Sequence, residues 1–70
     1  MLNQITVPAA MPERFVDARA AGEFLGLHAI TVQRLARKGA LPSHPVSDGA
    51  KVRWRFLLSE LGEWLRSRRN

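Results

Sequence analysis

The sequence predicts a mainly α-helical domain with one small β-hairpin, and three observations carry that expectation. Residues 24–42, FLGLHAITVQRLARKGALP, set a glycine between apolar residues, then run an amphipathic pattern to a second glycine and a proline. That is the punctuation of two helices joined by a tight turn. In VRWRF, Val52, Trp54 and Phe56 alternate with Arg53 and Arg55, the two-residue period of a half-buried strand. Finally, LLSELGEWLRSRRN at 57–70 returns to helical spacing, with Leu58, Leu61, Trp64 and Leu65 on one side.

Residues 1–14, MLNQITVPAAMPER, hold two prolines and no sustained periodicity, so a flexible N-terminal tail is expected there. ITV at 5–7 is its one weak strand candidate. At Asp17 the pattern changes. DARAAGEFLG offers an acidic N-cap, then Ala18, Ala21, Phe24 and Leu25 at helical spacing, then Gly26 as a stop. Gly22 costs such a helix about 1 kcal/mol against alanine, which makes sense if another helix crosses closely at that point. Leu27 and His28 form the turn. The second helix is expected over 29–38, ended by Gly39 with Pro42 beyond.

Within that second helix Val32, Leu35 and Ala36 share one face. At 100° per residue the opposite face presents Ile30, Arg34 and Arg37, with Gln33 and Lys38 at its flanks. Two arginines and a glutamine can donate to phosphates and to base edges in a major groove. Ile30 is apolar and aimed at solvent. It suits a thymine methyl or a protein partner, or is one of the scattered exposed apolar residues any protein carries.

LPSHPVSDGAKVRWRF reads as a β-hairpin over 43–56, turning at Asp48-Gly49. A two-residue loop at Asp48-Gly49 would pair Val46 with Lys51 and place Val46 on the arginine side. A loop of three or five residues pairs Val46 with Val52 and His44 with Trp54, keeping the apolar residues together. The longer loop is the expected one, because a one-residue slip inverts faces. Pro45 confines its strand to an edge. Lys51, Arg53 and Arg55 then form a second basic surface. Trp54 and Trp64 are expected in the core, and Arg66, Arg68 and Arg69 complement a helix C-terminus.

Seventy residues make one small domain, with a stability of about 3–5 kcal/mol. There is no cysteine, which fits a reducing compartment and removes thiolate metal sites. No apolar run approaches the roughly 20 residues that span a bilayer, and the start lacks the pattern of a secretion signal. The net charge of +5 is uneven: residues 1–33 carry −1 and residues 34–70 carry +6. A concentrated positive field attracts polyanions. His28 and His44, far apart and without cysteine, do not make a metal site, and no glycine-rich phosphate loop exists. Ser43, His44 and Asp48 could be drawn as a nucleophilic grouping, but a hairpin gives them no preformed pocket. The expectation is therefore a non-enzyme without cofactor.

FVDARAAGEFLGLH, ITVQRLARKGALP, VRWRF and SELGEWL, in this order and spacing, resemble the winged helix-turn-helix domain of the excisionase family, a relative of the MerR-type regulators. The resemblance covers roughly residues 15–66 and implies a winged helix-turn-helix over 15–70 behind the tail at 1–14. It puts Asp17 at the first helix start, Gly26 and Leu27 in the turn, and His28 in the slot where serine commonly caps the second helix. Base contacts are implied for His28, Ala29, Ile30, Gln33 and Arg34. Backbone and wing contacts are implied for Arg37, Lys38, Lys51, Arg53 and Arg55. Three positions depart from the family pattern: His28 is a poorer cap than serine, Gly22 stands where alanine is usual, and Leu57 stands where a hydroxyl or acid often caps the third helix.

The function implied is binding of double-stranded DNA. Two roles follow from the resemblance. One is an excisionase of a phage or prophage, binding side by side, bending DNA and steering an integrase in recombination. The other is a small transcriptional regulator acting on RNA polymerase. Both place the protein in a bacterial cytoplasm, at the nucleoid, with self-association on DNA and no membrane partner. With no long C-terminal coiled coil, the dimeric metal- or drug-sensing regulators are not expected. The alternative from another class is a protein-interaction module that keeps the fold and docks through Ile30 and the tail.

Overall fold

Three helices and one antiparallel hairpin follow one another in a computed structural model, which describes residues 13–69. They are α1 (Ala18–Leu25), α2 (Ala29–Arg37), β1 (His44–Asp48), β2 (Lys51–Arg55) and α3 (Leu58–Ser67). The mainly helical class with a single hairpin is as expected, and the order is that of a winged helix-turn-helix. ITV at 5–7 and most of the segment expected as a tail lie outside the described residues.

α1 starts where Asp17 leaves extended backbone, its Oδ1 accepting the Ala20 N–H at 3.0 Å. That bond satisfies one of the orphan donors of the first turn. The helix ends at Gly26, and α2 is over by Lys38, one residue earlier than expected. Gly22 explains how tightly the pair is joined. A Cβ built there would stand 2.5 Å from the carbonyl oxygen of Leu27 and 3.4 Å from the amide nitrogen of Ala29. The close approach is real, and the backbone of the turn and of the first residue of α2 makes it. The Leu27 N–H also donates to the Gly22 carbonyl at 2.8 Å, locking the turn onto α1.

The core is small. Ala18, Ala21, Val32, Ala36, Leu41, Phe56 and Leu61 are buried, with Leu25, Leu35, Trp54, Leu58 and Trp64 packed partly against them. Alanines on α1 and α2 let those helices approach, while Phe56 and Leu61 fill the space below. Phe24 and Leu65, expected on the inner faces, are instead 48% exposed each. The α1 stripe narrows to Ala18 and Ala21, and Phe24 lies at its margin over Gly62 of α3.

The hairpin register differs from the expected one. His44 stands opposite Arg55, Pro45 opposite Trp54, Val46 opposite Arg53, Ser47 opposite Val52 and Asp48 opposite Lys51. The loop is the two residues Gly49 and Ala50, one position beyond Asp48-Gly49. Gly49 at φ 65°, followed by a residue without positive φ, meets what a two-residue turn with glycine first requires. The longer loop would pair Val46 with Val52, but those residues are 47% and 54% exposed, so no burial rewards that pairing. Val46 accordingly sits on the arginine side. His44 is not beside Trp54. Its Nε2 meets Glu60 Oε1 of α3 at 2.8 Å, and its ring lies edge-on to Phe15 with centroids 5.2 Å apart.

Leu57 supplies no side-chain cap to α3, as expected from its chemistry. The cap comes from elsewhere. The Glu13 carboxylate accepts the Ser59 N–H at 3.0 Å and also the Ser59 hydroxyl, standing in for a local N-cap across 46 residues. Val16 and Phe56 exchange backbone hydrogen bonds of 2.8 and 2.9 Å, which holds the 13–17 segment against the end of β2.

Candidate nucleic-acid interface

The turn and the core fix which face of α2 looks outward. Val32 and Ala36 point into the core, so Ile30, Gln33, Arg34 and Arg37 form a solvent stripe opposite them. Arg34 and Arg37 fall in the last turn, where the helix dipole favours cations. Neither arginine, nor Lys38 or Lys51, takes part in an ion pair among the described residues. Their charge is available to an outside anion.

The hairpin stands beside this helix and makes a cleft with it. Gln33 and Arg37 line one wall and the β2 residues Lys51, Val52, Arg53, Trp54 and Arg55 another, with Asp17 and Ala18 at the start of α1 closing the end. Four cations therefore face a single trough. Asp17 is the acid there, and its Oδ1 is engaged in capping α1. Arg53 is partly neutralised by Asp48 at 3.2 Å, an exposed pair worth little in stability. Arg55 is half-buried, its Nη1 donating to the Trp54 carbonyl at 3.1 Å, which orients the guanidinium.

The residues singled out from sequence thus fall into two groups. Gln33, Arg37, Lys51, Arg53 and Arg55 are brought together in the cleft. His28, Ala29, Ile30, Arg34 and Lys38 are not among its walls. His28 caps α2 by backbone position only and makes no side-chain cap bond. Ala29 packs partly against the core, leaving a limited surface for any ligand. Ile30 is 60% exposed, and Arg34 is exposed beside it. Lys38 is the C-cap.

Sequence reasoning missed the contribution of Asp17 and Ala18 to the cleft. The N-cap signal located the start of α1, but nothing local placed that start against the hairpin. It also missed Glu13, whose pKa is held below the usual carboxylate range by the Ser59 hydroxyl and the Ser59 N–H. The Ser43, His44 and Asp48 grouping is not assembled: His44 is bonded to Glu60, and Asp48 to Arg53.

Among the described residues, no helix is long and apolar enough to cross a membrane. No curated protein and no solved structure matches the chain significantly. A family model described as a helix-turn-helix domain matches residues 15–69, which includes every element of the fold and both walls of the cleft. Domains of that kind bind DNA, and Arg34, Arg37 and Lys51, which have no ion-pair partner among the described residues, supply the cations that such binding needs. The chain belongs to the helix-turn-helix domain family, of the excisionase type.

Proposed function

We propose that the protein binds double-stranded DNA with sequence preference, α2 entering the major groove and the hairpin lying as a wing along the adjacent backbone or minor groove. The observation that supports this most is the solvent stripe of α2, which carries Gln33, Arg34 and Arg37 with no acid paired to either arginine among the described residues. Gln33 and Arg34 are the base-edge donors of this reading, each worth about 1–3 kcal/mol where bidentate. Arg37, Lys38, Lys51, Arg53 and Arg55 serve the phosphates.

A single module of this size covers only about 600–1,000 Å². Useful specificity then calls for repeated sites, a partner or self-association on DNA. That fits an excisionase working with an integrase, and it fits a small regulator working with RNA polymerase. Both roles belong to a bacterial or phage cytoplasm, and neither needs a cofactor or a catalytic step.

The test is fluorescence anisotropy on a mixed-sequence duplex across a salt series. Wild type is expected to bind with a steep negative salt slope, and Arg34→Ala/Arg37→Ala to lose at least tenfold in affinity with a shallower slope. No binding at low salt would sink the proposal and leave the protein-interaction module, to be pursued by pull-down.

A further inference from the structure

Ile30 is the most exposed large hydrophobic among the described residues, at 60%. It lies within the stripe that also presents Gln33 and Arg34, three and four positions further along α2. At helical geometry those neighbours stand within about one turn, roughly 5–6 Å, so the three side chains form one patch. The patch is polar and cationic except at its N-terminal corner. An isoleucine in a helix holds essentially one χ1 rotamer, so its methyl groups project in a fixed direction and little entropy is lost on contact. The helix itself is held by the Gly22 contact and the buried Val32 and Ala36. Ile30 is therefore an apolar probe on a rigid mount.

The cations around it say what it meets. A surface presenting Arg34 beside a cleft of four cations, Arg37 among them, is complementary to a polyanion, and the apolar group on the major-groove edge of a duplex is the 5-methyl of a pyrimidine. We infer that Ile30 is a specificity residue that packs on the 5-methyl group of a pyrimidine, next to a guanine held by Arg34. The inference rests on the DNA reading of α2. It sets a spacing, too. Ile30 and Arg34 are about 6 Å apart along the helix axis, roughly two base-pair steps of 3.4 Å, so methyl and guanine fall within about two base pairs of each other.

The experiment starts from duplexes enriched by the full chain from a random-core pool. In the best of them, each thymine is replaced singly by uracil, which removes the methyl and leaves pairing intact. One position, within about two base pairs of a guanine, is expected to lose about fourfold in affinity, the value of one buried methyl group. 5-Methylcytosine with its paired guanine at that position should recover part of the loss that cytosine causes. Ile30→Ala should bind the thymine and uracil duplexes alike while melting at the wild-type temperature, and Ile30→Val should keep part of the discrimination. Failure to enrich or bind any duplex overturns the DNA reading itself. Tight binding with no uracil effect at any position, or an effect that persists undiminished in Ile30→Ala, overturns this inference alone. So does a loss of cooperativity between adjacent sites in Ile30→Ala with thymine and uracil still equivalent, which would make Ile30 a contact between copies.

Discussion

α2 and α3 are of similar length, both are amphipathic, and both turn basic toward the C-terminus, yet their charges do different things. On α3, Arg66 Nη2 meets Glu63 Oε2 at 2.8 Å, and the Arg68 guanidinium lies 4.8 Å from the Trp64 ring centroid. α3 also carries Glu60, which is bonded to His44. α2, AITVQRLAR, contains no acid at all. Counted through its C-cap, each helix carries two arginines, so a count treats them as equals. Their neighbours separate them, because a cation satisfied within its own helix adds to the stability of that helix, whereas an unpaired one adds to the outward field.

The most severe way to break the comparison is to unseat α2. Gly22→Ala places a methyl 2.5 Å from the Leu27 carbonyl oxygen, a backbone atom that moves only if the whole turn moves. A cost of about 2 kcal/mol or more is expected, equivalent to roughly 10 °C in a domain of this size. With a total stability of about 3–5 kcal/mol, the variant should be partly unfolded at 37 °C by circular dichroism and should lose DNA affinity in proportion. α3 has no such position: a Cβ at Gly62 meets only the Phe24 ring tip, at an ordinary 3.6 Å. Gly62→Ala should fold, and its better helix propensity offsets any crowding.

The comparison is sharpened by moving the same two charges on each helix. Arg34→Ala/Arg37→Ala is expected to cost at least tenfold in duplex affinity, about 1.4 kcal/mol, and to reduce the salt slope by about one, the share of the phosphate contact of Arg37. Arg66→Ala/Arg68→Ala removes as much formal charge and should cost no more than about threefold, since what it deletes is partly neutralised at close range. Equal losses from the two pairs would mean that overall charge, and not the α2 face, drives binding.

The helix pair was legible because its signals are local. Asp17 caps within three residues, Gly26 stops a helix by its own backbone, and Val32 and Ala36 follow a period that any helix must keep. The cleft was legible only as two separate basic surfaces, because the approach of β2 to Gln33, Arg37 and the start of α1 is decided by packing around Phe56. The hairpin register went the other way for a related reason. Pattern reasoning assumes that Val46 and Val52 seek burial, but the wing projects beyond the core and offers them none. Turn chemistry at Gly49 then decides. Gly49→Ala puts a Cβ at φ 65° and should cost about 1 kcal/mol. The loss should appear as faster amide exchange in β1 and β2 with the helices unchanged, and as a two- to fourfold weaker affinity if the wing touches DNA.

The smallest expected effect separates the two helix starts. α2 begins without a side-chain cap, while α3 is capped by Glu13 from outside its own sequence. Hydrogen bonds from the Ser59 hydroxyl and N–H favour the Glu13 carboxylate and lower its folded pKa below the ordinary 4.5. The unfolded chain binds that proton more tightly. The contribution of Glu13 is therefore fully present above about pH 4.5 and is lost as pH falls through the lower folded value. In thermal melts at successive pH values, Glu13→Ala should lie a few degrees below wild type at pH 7, and the gap should close as the solution becomes acidic. A gap that holds constant into acid would mean that Glu13 acts through packing rather than through its charge. At pH 7 and well below either melting temperature, duplex affinity should match wild type, because the cap serves α3 and leaves the arginine stripe of α2 in place.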